Sequence, residues 1–283
     1  MKTEKIKCKF SLCFANTYRL VKYSLYLLLG FLYAVRRQKP IVVLAYHSVA
    51  LNEDFYSVCP VNFRRQIEYL KREYEIVPLS DIIEFLTSKK RLPMRSVALT
   101  FDDGFHDFYS NVFPYLEKYH LPATIFIATG YVGKTWPQGK QNAKMLTWEE
   151  ISEMSKKNIE IAVHTVSHPN LQKISLKDAR KEILLSKTQT EERIRKEVNF
   201  FCYPFGKITP EIVFLVANLG FKGACGNVGT IRPNTNRFLI NRVQVDSSIS
   251  FPLFLARLTK ATDLLEKVES FFTNHARAKN LRG

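Results

Sequence analysis

The sequence is poor in cysteine and in acidic residues. Its 283 residues include five cysteines, an odd number, and no two of them form a Cys-x-x-Cys pair. A disulfide framework is therefore not indicated, and the cysteines leave the cellular compartment open. Only 26 aspartates and glutamates stand against 42 lysines and arginines, which gives a formal net charge of +16.

This excess of positive charge suits a nucleic acid, an anionic membrane surface or an acidic polymer as partner, with solubility alone as the alternative. The basic residues are spread over residues 2–39, the helical segments and the C-terminal tail. No nucleic-acid motif and no array of stacking aromatic residues accompanies them. We therefore expect a membrane surface as partner, and no nucleic acid.

A long hydrophobic run is also missing. The uncharged stretch 23–35 is flanked by basic residues but is shorter than the roughly 20 residues of a spanning helix. A signal anchor and an interfacial helix both fit it, and a helix packed on the domain is the alternative. Because more positive charge precedes the run than follows it, an outside position of the later domain is favoured. We predict that residues 1–39 anchor a membrane-associated chain.

From residue 40 onward, short β-branched or apolar runs alternate with helical patterns. This alternation predicts an α/β fold with a parallel sheet, either open or closed into a barrel. The predicted strands are 41–45, 97–101, 123–127, 159–163, 200–203 and 239–245. The predicted helices are 62–73, 80–88, 107–119, 147–157, 175–198 and 209–219, and an amphipathic helix over 251–274 precedes a basic tail.

Polar side chains follow two of these strands at the point where each strand ends. Asp102 and Asp103 come directly after a buried strand and before a glycine, and His164 and His168 follow another. Adjacent carboxylates repel each other and are costly to bury, which favours a nearby cation; a solvated Asp-Gly turn is the alternative. In a parallel barrel such strand ends meet at one face, so we expect these four side chains to approach one cation.

Several ordered motifs resemble those of the polysaccharide deacetylases, the NodB-homology family also called carbohydrate esterase family 4. Residues 100–109 (TFDDGFHDFY) resemble the first motif, 160–171 (EIAVHTVSHPNL) the second and 201–206 (FCYPFG) the third. Residues 44–48 (LAYHS) are similar to an element of the poly-N-acetylglucosamine deacetylase subgroup. The likeness spans about residues 40–245, so we predict a deacetylase domain over 40–250 between the anchor segment 1–39 and a C-terminal part 251–283.

The resemblance implies a distorted (β/α) barrel that binds one divalent metal ion, zinc in most members. The implied metal ligands are Asp103, His164 and His168, with Asp102 as general base. The substrate would be an N-acetylated glycan. The loop Tyr203, Pro204, Phe205 and Gly206 would contact it, with the Phe205 N–H as first candidate for the oxyanion donor; an ordinary turn also explains this loop.

Two departures from the family pattern concern catalysis. Members with the longer third motif carry an arginine where Cys202 stands, and Arg242 is our candidate replacement, with a structural arginine as the alternative. The usual general-acid histidine is absent, so the general acid stays unassigned. His47 at the first strand's end is interpreted as a substrate contact, with a core histidine as the alternative.

Three functions fit these observations. The first is a metal-dependent hydrolase that removes N-acetyl groups from sugars of a polysaccharide or a lipid-linked glycan. The second is a catalytically silent carbohydrate-binding module of the same fold, which the two departures would explain. The third is a metal-dependent amidohydrolase on small amides, which the sugar-type motifs disfavour.

Overall fold

A closed ring of parallel strands forms the centre of the unit Pro40–Ile249. The structure is a computed structural model that describes residues 24–30, 32, 40–51, 56–137 and 143–265, apart from the side chain at position 227. Its strands are β1 (Val42–Tyr46), β2 (Glu75–Ile76), β3 (Ser96–Phe101), β4 (Ala123–Ile127), β5 (Ile159–Val163), β6 (Phe200–Cys202), β7 (Gly223–Val228) and β8 (Ile240–Gln244).

The strands follow one another around the ring in the order β1, β8, β7, β6, β5, β4, β3, and pairing of β3 with β1 closes it. The two-residue β2 lies outside the ring, beside the start of β3. Every one of these pairings is parallel. The prediction of an α/β fold with a parallel barrel is confirmed.

Helices connect the strands and cover the outside of the ring, as expected for parallel connections. In this unit they are α1 (Pro60–Glu73), α2 (Leu79–Leu86), α3 (Phe113–Lys118), α4 (Trp148–Ser155), α5 (Leu176–Ile194) and α6 (Pro210–Asn218). Local sequence sets their starts: Thr147 and Glu150 form a capping box at α4, and Thr209 accepts the Ile212 N–H before α6.

The sequence analysis did not predict two of the strands. β2 has only two residues, and β7 (GACGNV) lacks β-branched side chains until its last position. The glycines of β7 are needed for packing rather than for strand propensity. A Cβ at Gly226 would lie 2.6 Å from the Tyr203 ring, and one at Gly223 would lie 2.3 Å from Ile83. Close packing therefore favours glycines in β7, although glycine-rich segments are usually predicted to be loops.

Two predicted helices are shorter than their patterns. The pattern over 107–119 contains a wider π-type turn, Phe108–Val112, before α3, because Pro114 lacks the N–H that an α-helix would use there. The pattern over 175–198 ends at Ile194, since Arg195 turns into the left-handed region with φ 55°.

The predicted C-terminal helix is interrupted. Its first part is α7 (Phe251–Arg257), residues 261–265 are helical again, and residues 266–274 lie outside the described residues. Thr259 causes the break, because its hydroxyl oxygen accepts the Ala261 N–H at 3.2 Å and so caps the second part.

The prediction of a membrane-associated chain with an anchoring segment at 1–39 is wrong. Among the residues that the structure describes, no helix is both long enough and apolar enough to cross a bilayer. Apart from residues 24–30 and 32, the range 1–39 lies outside the described residues.

The described residues of Met1–Lys39 and Ser250–Gly283 form a second unit by contact. Within it the Arg257 guanidinium lies 5.5 Å from the centre of the Tyr26 ring. The predicted division into 1–39, 40–250 and 251–283 stays a prediction.

Candidate active site

The carboxyl ends of three strands bring the predicted site residues together. Asp102 and Asp103 follow β3, His164 follows β5, and His47 follows β1. These ends share one face of the barrel because all the strands run parallel. Both aspartates and His164 are buried, as is His168 four residues further on.

Asp103, His164 and His168 converge on one point. The Nε2 atoms of the two histidines lie 3.1 Å apart, and Asp103 Oδ1 lies 3.5 Å from His168 Nε2 and 3.7 Å from His164 Nε2. His164 Nδ1 lies 2.7 Å from the Cys202 carbonyl oxygen, which can only accept, so Nδ1 carries the proton. The Nε2 lone pair of His164 therefore faces the other two side chains, and the three together could hold a metal ion.

The protonation state of the histidines suits this use. Burial lowers the pKa of His164 to about 4 and the pKa of His168 to about 3. Both imidazoles are therefore neutral near pH 7, which is the form that binds metal ions.

Unusual backbone conformations aim two of the three side chains. Asp103 has φ 72° and His168 has φ 52°, a region that residues with side chains seldom occupy. Thr165, with φ 67°, holds the second turn, since its Oγ1 accepts the His168 N–H at 3.0 Å. Strain of this kind persists where the surrounding structure enforces it, which is common at functional sites.

Asp102 forms a buried pair with Arg242 of β8. The guanidinium donates to both carboxylate oxygens, with Nη1–Oδ1 and Nη2–Oδ2 distances of 2.7 Å. Arg242 also donates to Thr100 Oγ1 at 3.1 Å and to Cys202 Sγ at 3.1 Å. A two-point pair of this type fixes the plane of the carboxylate as well as its position.

The charge state of Asp102 results from two opposing effects. Burial raises the pKa of this carboxyl, but the charge and hydrogen bonds of Arg242 outweigh burial and hold the pKa well below its usual range. Asp102 is therefore an ionised carboxylate near pH 7. It lies in contact with His47, whose Nε2 is 3.9 Å from Asp102 Oδ2.

Comparison with known proteins identifies relatives of this chain. Residues 89–224 match the family model described as polysaccharide deacetylase. The poly-beta-1,6-N-acetyl-D-glucosamine N-deacetylase of Staphylococcus aureus (strain MRSA252) is 29% identical over 201 residues, which cover 67% of this chain and 68% of the relative. Over these residues the chain is similar to the polysaccharide deacetylases.

Other relatives extend the likeness over the barrel. The putative polysaccharide deacetylase YxkH of Bacillus subtilis (strain 168) is 25% identical over 224 residues, 78% of this chain and 77% of the relative. The solved structure of IcaB from Ammonifex degensii has a TM-score of 0.70 at 26% identity, covering 78% of this chain and 97% of that one. The Streptococcus pyogenes deacetylase PplD, with a TM-score of 0.68 at 24% identity, covers 77% and 98% and shows the shared fold.

The loop of the third motif borders the cluster of Asp103, His164 and His168. Tyr203 and Pro204 are buried, and the Tyr203 hydroxyl donates to the Phe238 carbonyl oxygen at 3.0 Å. Phe205 has φ 58° and is 55% exposed, and the centre of its ring lies 4.5 Å from that of His168. Gly206 follows at the surface. The structure thus places Phe205 at the site opening, while Tyr203 supports the loop from within the barrel.

Two carboxylates that the sequence analysis did not assign hold the loops of this site. Glu182 of α5 accepts the N–H groups of Val166 and Ser167, between the two histidines, at 2.9 and 2.8 Å. Asp107 accepts the Ser48 hydroxyl at 2.6 Å, directly after His47. Asp107 stands in the first motif and could have been noticed there, whereas nothing in the helical pattern distinguishes Glu182.

Proposed function

We propose that this domain is a metal-dependent N-deacetylase that removes acetyl groups from N-acetylated sugars of a polysaccharide of the poly-β-1,6-N-acetylglucosamine class. The observation that carries the proposal is the convergence of Asp103, His164 and His168 beside the ionised Asp102. The substrate class rests on the staphylococcal relatives, which are named for it.

Asp103, His164 and His168 would hold one divalent metal ion, and zinc is our candidate. Two neutral imidazoles and one carboxylate are a typical ligand set of catalytic zinc sites, which keep an open position for water. When bound, such an ion lowers the pKa of water to about 7 and polarises the carbonyl that is attacked.

Asp102 is our candidate for the general base that takes the proton of the attacking water. Its carboxylate is ionised, and both of its oxygens are held by Arg242 at 2.7 Å. The pairing keeps the carboxylate charged although it is buried, and it prevents rotation away from the water. Arg242 is thus proposed as the positioning residue for the base, in the role that the family gives to an arginine at the position of Cys202.

His47 is our candidate for the proton donor to the leaving amine, a role that the sequence analysis left unassigned. Its Nε2 lies 3.9 Å from Asp102 Oδ2, so the imidazole borders the place where the reacting amide would lie. Its side chain is 17% exposed, which leaves it open to the substrate side. Histidine is the residue that most often donates a proton in this way near neutral pH.

The Phe205 N–H is our candidate for the second stabiliser of the oxyanion. The contact between the Phe205 and His168 rings supports this placement, because it puts the loop of the third motif directly against the ligand set. Backbone N–H groups aimed at a developing negative charge stabilise it without reorganisation.

The test measures acetate release from β-1,6-linked N-acetylglucosamine oligomers by the zinc-loaded full chain. We expect Asp102→Asn to lower kcat by about 10²- to 10⁴-fold, the contribution typical of a general base, while zinc stoichiometry is unchanged. Asp178→Asn, which alters an exposed carboxylate of α5, is the matched control and should retain activity. Binding of oligomers by the unaltered chain with no acetate release would contradict the proposal and favour a silent carbohydrate-binding module.

A further inference from the structure

The chain directly after His47 is held by a carboxylate from another segment. Asp107 Oδ2 accepts the Ser48 hydroxyl at 2.6 Å, and Asp107 Oδ1 accepts the Val49 N–H at 3.0 Å. One turn further along, Asn111 Nδ2 donates to the Val49 carbonyl oxygen at 2.8 Å. Two residues of one turn therefore hold two consecutive residues of the loop that begins at His47.

The loop is fixed from its far side as well. The hydroxyl oxygens of Ser48 and Ser57 lie 2.9 Å apart, and the Val58 N–H donates to the Ser48 carbonyl oxygen at 2.9 Å. Ser48 and Ser57 are both buried. The hydrogen bond of Asp107 to Ser48 thus belongs to a continuous network that runs from the first motif into the loop after β1.

Burying the Asp107 carboxylate against this loop costs desolvation free energy. Burial raises the pKa of Asp107, and the donors that it meets here are a hydroxyl and a backbone amide. A neutral amide has only one acceptor oxygen, so it could not accept both hydrogen bonds as the two carboxylate oxygens do. Hydrogen bonds to a charged carboxylate are also shorter and stronger than those to a neutral acceptor, so they restrict the loop more tightly.

The position of Asp107 links it to the reacting groups. It stands five residues after Asp102, in the same segment as the base and one metal ligand. Since Asp102 N–H also donates to the Tyr46 carbonyl oxygen at 2.9 Å, residues on both sides of His47 are bonded to this one segment. The relative placement of His47 and Asp102 is therefore set by contacts before and after His47.

We infer that Asp107 is a positioning residue that holds His47 at the distance from Asp102 needed for proton transfer to the leaving amine. The inference rests on the proposed function, in which His47 donates that proton. Asp107 itself contacts neither His47 nor the reacting groups in this account. Its effect on the reaction passes through Ser48 and Val49.

The experiment compares two substrates that differ in the leaving group. An amine leaves an acetamide only with a proton, whereas the phenolate of an aryl acetate ester leaves without one. We expect Asp107→Asn to lower kcat on N-acetylglucosamine oligomers by about 10- to 100-fold, the loss typical of a misplaced catalytic group. On the aryl acetate, kcat should stay within about 2-fold, because that leaving group needs no acid.

His47→Gln is measured in parallel and in combination with Asp107→Asn. If Asp107 acts through His47, the second substitution adds little to the first, so the two losses in kcat are not additive. Ser48→Ala removes a single hydroxyl from the network and should cause a smaller loss of the same substrate pattern. This variant also keeps the inference testable if Asp107→Asn does not fold.

Glu160→Gln is the matched control for a buried carboxylate. Glu160 accepts the N–H groups of Leu79 and Ser80 and the Thr124 hydroxyl near the start of β5, at the opposite end of the barrel from His164. It should leave kcat on both substrates unchanged.

Equal losses on both substrates for Asp107→Asn, or additive losses with His47→Gln, would overturn the inference. Loss of acetate release from the oligomers in Asp102→Asn but not in His47→Gln would reject the His47 role while the deacetylase proposal stands.

Discussion

Replacement of Arg242 by alanine tests how the candidate base is held. The substitution removes four donor contacts, two of them at 2.7 Å to the Asp102 carboxylate. Asp102 is only 3% exposed, so water cannot replace the lost guanidinium without rearrangement. Breaking a buried ion pair by removing one partner typically destabilises a protein by about 3–5 kcal/mol, because the remaining charge is uncompensated.

This loss is large enough for a thermal melt to resolve. A domain of this size shifts its Tm by about 2–4 °C per kcal/mol, which gives a decrease of about 6–20 °C for Arg242→Ala. Arg237→Ala is the matched control, since Arg237 is exposed and lies five residues before Arg242. Exposed charges contribute about 0–1 kcal/mol, so this control should melt close to the unaltered chain.

The pH dependence distinguishes an electrostatic loss from a loss of packing. In the unaltered chain the pKa of Asp102 is lowered, so its pairing stabilises the protein above the ordinary value of 3.8 and is lost as the pH falls. In Arg242→Ala the main effect that lowers this pKa is gone and burial remains, so we expect the pKa to rise and the stability of the variant to decrease as the pH rises through it.

We therefore expect the difference in Tm between the two proteins to increase from about pH 4 to about pH 7, measured without metal so that no bound cation compensates the carboxylate. Acetate release should fall in the same variant, because its candidate base is no longer oriented by the guanidinium. A Tm within 2 °C of the unaltered chain corresponds to a stability difference of about 1 kcal/mol or less. Such a Tm at every pH, together with a normal kcat, would refute the reasoning.

The remaining predictions concern the metal ligands and the opposite end of the barrel. His164→Ala and His168→Ala should each abolish stoichiometric zinc binding measured by metal analysis, together with the stabilisation of about 2.7 kcal/mol expected at 100 times the Kd; unchanged zinc content would reject the ligand assignment. Burial raises the pKa of Glu160 above its ordinary 4.5, so the folded chain binds more protons than the unfolded chain and stability decreases as the pH rises through this range. Glu160→Gln should flatten that part of the Tm profile, and an unaltered slope would contradict the assignment.

The barrel was predictable from the sequence to the extent that its strands are buried on both faces. The segments of β1, β3, β4 and β5 are short runs of mostly apolar or β-branched residues, and each prediction lies within one residue of the observed bounds. β7 was missed because it is selected by close approach to Tyr203 and Ile83, a tertiary requirement that no local pattern contains.

The site was predictable where its residues stand at strand ends in recognisable motifs, as Asp102, Asp103, His164 and His168 do. Their roles as base and ligands stay predictions, although the distances support them. Glu182 could not be found in this way. It lies on an outer helix among other charged residues, and its carboxylate is defined only by the Val166 and Ser167 N–H groups that the fold brings to it.

The closed ring explains how Arg242 on β8 can pair with the Asp102 carboxylate. The guanidinium of Arg242 starts on β8, lies 5.6 Å from the centre of the Phe126 ring of β4, and reaches the carboxylate after β3. Its path therefore crosses the barrel interior, where Cys202 Sγ lies only 3.1 Å from Nη2. The small Cys202 side chain leaves space for this crossing. We therefore interpret the cysteine at position 202 and the arginine at position 242 as one coupled change: what the candidate base requires is a planar cation at its carboxylate, and any strand whose side chain can reach across the ring is able to supply it.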